Sequence, residues 1–321
     1  MREALDMSSC IEAVERAFVA YSTGKAELPG VIHLDVPESG GEIHVKAGHL
    51  HGGPVYAIKV ASGFYGSQPQ AIEGLVLVFD ARDGRPVAIL LDGGTLTEQR
   101  TAAAGGVVAK HLAPQRVERV AVIGTGAQAR AQLDALAIVR PRFRRVRVWG
   151  RNADRATLCV EDLRARPGLP EGCSFQAATT VREAVEGAGV VITCTASRQP
   201  LVRADWLAPG AHVTALGSDS ADKQELHPDV LSRADLLAVD SRAQCTRIGE
   251  LHHALDAGLV DARRVVELGE ICSGDRPGRT SEDQLTVCDL TGIGVQDVAA
   301  AVLVMERAGD AGETIEIEKG L

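Results

Sequence analysis

The stretch VERVAVIGTGAQARAQLDAL, residues 117–136, decides how this chain is read. Its first half is a short apolar β-like run, and its second half has helical spacing. The turn between them, Gly124-Thr125-Gly126-Ala127-Gln128-Ala129, fits G-x-G-x-x-G/A. Gly124 permits the tight turn, Gly126 lets the backbone approach a pyrophosphate, and Ala129 keeps helix and strand close. A helix start also offers free N–H groups and a favourable dipole to phosphates. Gly124, Thr125, Gly126, Ala127 and Gln128 are therefore the candidate dinucleotide-binding residues. The next strand ends in VRVWGRN, where an NAD site usually carries Asp or Glu for the ribose hydroxyls. Here Arg151 and Asn152 follow Gly150, so no carboxylate repels a 2′-phosphate and Arg151 is placed to accept one. NADP(H) is favoured over NAD(H).

Working outward, the rhythm after residue 117 alternates strand and helix through RVRVWG, GVVITCTA, AHVTALGSD and ADLLAVD. That predicts an α/β fold with a Rossmann-type, doubly wound parallel sheet. Before it the pattern differs. Ser9 and Glu12 have capping-box spacing ahead of Ile11, Val14, Ala17, Phe18 and Tyr21, and Gly24 stops that helix. Short β-like runs then extend from about residue 30 to 92, separated by turns such as ESGG and RDGR, which predicts a mainly antiparallel sheet. After residue 290, VAAAVLVMERA reads as a helix returning to the first unit. The expected organisation is an α+β domain made of 1–112 and 291–321, interrupted by a Rossmann domain at 113–290.

The chain has 321 residues, 45% hydrophobic and 24% charged, with a net charge of −9. That balance fits a globular protein and argues against a general nucleic-acid or anionic-membrane partner. No apolar run reaches the roughly 18 residues of a membrane span, and the first ten residues lack a signal-peptide core. The seven cysteines are scattered without a C-x-x-C pair, as expected of a cytoplasmic protein. The arginines between 140 and 151 read as a solvated strand edge rather than a nucleic-acid patch.

Three motifs, in order, carry a resemblance. LTEQRTAAAG (96–105), VAVIGTGAQAR and GSDSADKQELHPDVL (217–231) resemble the ornithine cyclodeaminase/mu-crystallin family, and IGELHHAL and DLTGIGVQD agree further on. The resemblance implies the two-domain fold, a dimerisation role for the first domain, a homodimer, and a small amino- or imino-acid substrate held opposite a nicotinamide. It places Lys59 and Arg100 at the substrate carboxylate, a clamp that an ammonium and a forked guanidinium suit. It makes Asp219 the group that handles protons, and it counts Lys59 with Asp219 as catalytic.

The chain departs from the ornithine-specific pattern. An early arginine and a glutamate of those members fall at about His33 and His44 here. His44 and Lys46 alternate onto one face of a strand, so both are candidate substrate-binding residues. Such a pair does not attract a second ammonium; it suits a carboxylate, a hydroxyl or an imine. The arrangement is closer to imine-reductase or ectoine-utilisation-like bacterial members. Glu250, His252 and His253 invite a metal reading, but adjacent helical histidines diverge by about 100°, and no metal is assigned. The leading expectation is NAD(P)H-dependent reduction of an imino acid (ketimine) or the reverse oxidation of an amino acid. Ammonia-eliminating cyclisation of a diamino acid with recycled NAD is the alternative, and a non-catalytic crystallin-like NADPH/ligand-binding protein is the third.

Overall fold

The structure is a computed structural model, described for residues 5–64, 71–308 and 313. Helix α1 (Met7–Ser22) buries Cys10, Ile11, Val14, Ala17 and Phe18 along one face. Its cap is Asp6, whose side chain accepts from the Ser9 N–H at 3.0 Å, not the Ser9–Glu12 box that the spacing suggests. An aspartate one turn earlier satisfies the same free N–H groups, so the helix starts sooner.

Six strands follow: β1 (Ala26–Glu27), β2 (Ile32–Val36), β3 (Gly41–Leu50), β4 (Val55–Phe64), β5 (Ala71–Asp80) and β6 (Pro86–Leu91). They form one antiparallel sheet in the order β1-β3-β4-β5-β6, with β2 also on β3. The register decides which side chains meet. His33 faces His44 across β2 and β3, and Lys46 faces Lys59 across β3 and β4. Directly opposed residues point to the same side of a sheet, so Glu42, His44, Lys46, Lys59 and His33 share one face.

Helix α2 (Thr95–Leu112) leads into the parallel sheet. There β7 (Arg119–Ile123), α3 (Ala127–Val139), β8 (Arg145–Trp149), α4 (Ala153–Ala165), β9 (Ser174–Ala177), α5 (Val181–Val185) and β10 (Val190–Thr193) alternate. A small pair, β11 (Arg198–Val202) and β13 (Gln224–Leu226), flanks β12 (His212–Ala215). Then come α6 (Pro228–Ser232), β14 (Leu236–Val239), α7 (Arg242–Cys245), α8 (Gly249–Asp256), β15 (Val265–Glu267), α9 (Leu268–Cys272), β16 (Thr286–Asp289) and α10 (Gly294–Ala308). The strand order is β9-β8-β7-β10-β12-β16-β14-β15, so the last strand in sequence sits inside the sheet. Strands β10, β12 and β16 are buried along their length, as a sheet covered on both faces requires.

Strand β8 lies between β7 and β9, so its arginines are not on a sheet edge. Arg140 is half-buried and donates to the carbonyls of Pro114, Lys110 and Ala113. Helix α10 runs back across the antiparallel sheet. A Cβ on Gly294 would stand 2.1 Å from the Ala47 carbonyl oxygen, so glycine is what lets its first turn touch β3. That contact delivers Gln296 and Asp297 beneath the sheet. Among the described residues no helix is long and apolar enough to cross a membrane.

Candidate functional site

A cleft of about 630 Å³ opens where the two sheets meet. One half is lined by Gly124, Thr125, Gly126, Ala127, Gln128, Trp149, Arg151 and Asn152, and the other by Lys46, Arg100, Asp219, Lys223, Gly292 and Gln296. It lies at the carboxyl ends of β7, β10 and β12, beside the point where the strand order reverses, which is where open α/β sheets bind ligands.

The first half fits a dinucleotide. Gly124 has φ +136°, and an added Cβ would be 2.6 Å from Cys194 Sγ, so this turn closes on the β10 loop only as glycine. A Cβ on Gly126 would meet nothing within 4 Å, which leaves open space over the start of α3. That helix has no side-chain cap, so its leading N–H groups face the space. Gln128 is braced by the Glu98 carbonyl at 3.0 Å. Asn152 caps α4 by accepting from the Arg155 N–H at 3.0 Å while still lining the cleft. Arg151 is exposed and lines the cleft.

The second half is built from two charge groups. In one, Asp297 Oδ1 accepts from Arg100 Nε at 2.8 Å and pairs with Lys59 Nζ at 3.2 Å. Arg100 also donates to Gln296 Oε1 at 2.6 Å, and Lys46 Nζ donates to the carbonyls of Thr291 and Gly292 at 2.9 and 2.7 Å. Arg100, Lys46, Lys59 and Asp297 are all buried. Lys59 is not among the cleft-lining side chains; it stands behind Arg100 and Asp297. Burial, then the charge of Arg100, pushes its ammonium down to about 7 against the pull of Asp297. Lys46 is lowered for the same two reasons. Arg100 and Lys59 thus share one carboxylate, with Lys46 held beside them on backbone carbonyls.

In the other group the ratio is inverted. Lys223 Nζ bridges Asp219 Oδ1 at 2.8 Å and Glu42 Oε1 at 2.7 Å. Burial opposes ionisation of Asp219, but the charges of Lys223, His44 and Lys46 outweigh it and hold its carboxyl well below the usual range. Glu42 is brought down to about 2: burial opposes, and His44 and Lys223 prevail. His44 is 8% exposed, and neither ring nitrogen has a hydrogen-bond partner among the described residues.

The structure therefore brings Arg100, Lys46 and Asp219 to one end of the cleft and sets Lys59 and His44 behind its wall. Sequence reasoning missed Glu42, Lys223, Gln296 and Asp297. The usable signal was polar Gln296-Asp297 heading an otherwise apolar helix, a placement that demands buried partners. It also missed Glu225, which accepts from Thr193, Thr195 and Gly217 at 2.6–2.8 Å and so ties the loops after β10 and β12 together. Glu250 accepts the Glu225 and Leu226 N–H groups, while His252 and His253 bond backbone carbonyls of Gly249 and Lys223.

Comparison with known proteins bears on the family and the fold. The chain is 42% identical over 309 residues to an uncharacterized cyclodeaminase of Sinorhizobium fredii, covering 95% of this chain and 91% of that one. It is 33% identical to the iminosuccinate reductase of Paracoccus denitrificans, over 97% of this chain and 95% of the other. Among solved structures, an archaeal alanine dehydrogenase dimer with bound NAD superposes with a TM-score of 0.89 at 30% identity, covering 99% and 97% of the two chains. Residues 1–312 match the sequence model of one family, and the chain belongs to it: the ornithine cyclodeaminase/mu-crystallin family.

Proposed function

We propose that the protein is an NADP(H)-dependent reductase of α-imino acids, able to run the reverse oxidation of an amino acid. The observation that carries this is the inversion of charge at the substrate end: two cations on one carboxylate at Asp297, with Lys46 beside them, and two carboxylates on one ammonium at Lys223. An iminium α-carboxylate has the matching polarity. Its carboxylate goes to Arg100 and Lys46, with Lys59 adding charge from behind, and its nitrogen goes to Asp219. Gly124 to Gln128, Arg151 and Asn152 hold the dinucleotide, which when bound supplies hydride to the α-carbon or takes it away. The Glu225-braced loops keep the two halves of the site in register.

Glu42 argues against a diamino acid, because Lys223 already occupies the carboxylate that a second substrate ammonium would need. The relatives' names span reductase, dehydrogenase and cyclodeaminase, so the test separates them. Purified protein is mixed with NADPH and a panel of linear, cyclic and dicarboxylic α-imino acids, and oxidation of the reduced nicotinamide is followed. Ammonia release from ornithine and other diamino acids is assayed in parallel. Net NADPH oxidation is expected; ammonia and cyclic product without net cofactor change would establish the cyclodeaminase instead. Tight cofactor binding with neither reaction would favour the crystallin-like reading.

The NADP preference rests on Arg151. Arg151→Ala is expected to raise the Kd for NADPH about tenfold, or ~1.4 kcal/mol, and to leave that for NADH alone. Equal losses for both would remove the preference. The substrate and dimerisation domain is taken as 1–112 and 291–321, of which 309–312 and 314–321 lie outside the described residues, and the Rossmann domain as 113–290. A homodimer is proposed from the exposed Ile32, Leu34, Ile89 and Leu91 on strands β2 and β6, and a monomeric mass in light scattering would refute it. The reaction is assigned to the cytoplasm, with neither nucleic acid nor membrane as partner.

A further inference from the structure

We infer that His33 and His44 form a proton path from solvent to Asp219, and that His44 provides the proton taken by the substrate nitrogen. The inference rests on the imine-reductase reading. Its geometry is that of a chain of groups crossing the sheet edge. His33, on the outer strand β2, has a side chain 35% exposed and bonds Asp35 at 3.1 Å. Its ring meets that of His44 edge-on, with centroids 4.7 Å apart. His44 Nε2 lies 3.8 Å from Glu42 Oε1. One ligand-type atom each of Glu42, His44 and Asp219 falls within 4.8 Å of the others. Asp219, with its side chain 36% exposed, lines the cleft. Separations of this size are closed by one bridging water or one rotamer change.

The chemistry requires such a path. When hydride forms the new C–H bond at the α-carbon, the C=N π pair moves to nitrogen, and nitrogen must gain a proton. Asp219 rests ionised under Lys223, so it passes a proton without storing one. Lys223 is held above the usual ammonium range, because Asp219 and Glu42 together outweigh its burial. An imidazole can give a proton from one ring nitrogen while taking one up at the other, which neither a carboxylate nor an ammonium does. The proton leaves His44, crosses the Asp219 carboxylate to nitrogen, and the neutral ring is recharged through His33 from water. Oxidation of an amine runs the same path outward. The charged or titratable groups facing His44 are His33 and Asp35 from β2, Glu42 and Lys46 on its own strand, and Asp219 and Lys223 from the loop after β12. Its β4 neighbour is Ala61, which carries none.

The test combines two readouts on the full chain. In pH–rate profiles of imine reduction, wild-type kcat is expected to fall as His44 loses its proton. His44→Gln lowers kcat about 10²-fold, flattens that limb and leaves KM for the imino acid little changed. Separately, nitrogen NMR follows the imidazoles of the wild type and Asp219→Asn over about pH 5–9, with no substrate present. The His44 titration is expected, and its midpoint moves down when the carboxylate is removed. Wild-type kcat and an unchanged limb in His44→Gln would overturn the path. So would a His44 ring that keeps one protonation state throughout, or one indifferent to Asp219→Asn. Should His44→Gln fail to fold, the wild-type titration decides. Should no imino acid turn over, the imine-reductase reading fails, and the NMR result still decides whether His44 is coupled to Asp219.

Discussion

Asp297→Asn is expected to lower the free energy of unfolding by about 3–5 kcal/mol. The amide keeps the shape of the side chain and one acceptor but removes the carboxylate that Arg100 and Lys59 share. Both cations are buried, with Lys46 beside them, so what remains is positive charge without compensation. The loss should depend on pH in a definite sense. The folded-state pKa of Lys59, about 7, lies below the roughly 10.4 of an unfolded lysine. Between those values the unfolded chain binds more protons, so the stability this group contributes rises with pH, and its cost is greatest below about 7. In Asp297→Asn the upward pull on Lys59 is gone and its ammonium is pushed down further, so the deficit should be largest at low pH, shrink as pH approaches about 7, and stay level above it. Urea denaturation at two pH values measures it. A second substitution, Lys59→Met, should recover part of the loss in the double variant. A deficit that is small and independent of pH would show that the trio carries no such strain.

Asp219→Asn should cut kcat by about 10²–10⁴-fold with the Kd for NADPH unchanged. The carboxylate has two tasks in the proposed reaction, favouring the protonated imine and handing on its proton, and an amide does neither. Lys223 keeps Glu42 as a partner, so the loop is expected to stay in place. Trp149 lines the dinucleotide half of the cleft, and quenching of its fluorescence reports cofactor binding independently of turnover. A variant that turns over like its parent would remove Asp219 from the chemistry. One that also loses NADPH binding would show a structural collapse instead.

Much of this was legible locally. The glycine turn at Gly124, its strand and its helix all lie within residues 119–139, and period-two alternation put His44 and Lys46 on one face. What escaped was set by distance along the chain. Lys223 meets Glu42 across 181 residues, and Arg100 meets Asp297 across 197, so no short window of sequence contains either pair. Lys59 shows the same limit from the other side. Its apolar neighbours signalled burial correctly, but only the register opposite Lys46 and the approach of α10 place it behind the cleft wall. The Asp6 cap was misread because two acceptable caps stood three residues apart, and spacing alone does not rank them.

The interior position of β16 has a consequence for how the chain is made. Until residues 286–289 leave the ribosome, β12 and β14 each present an open edge, and the slot between them is about 9–10 Å wide, two inter-strand spacings. The larger sheet therefore cannot close until β16 has been made, and the segment that closes it continues at once into α10, which carries Asp297 to Arg100. Completion of the nucleotide-side sheet and assembly of the substrate pocket are one late event. A nascent chain stalled before residue 286 holds two unpaired edges and a pocket without its counter-charge, a form suited to capture by chaperones rather than to partial activity.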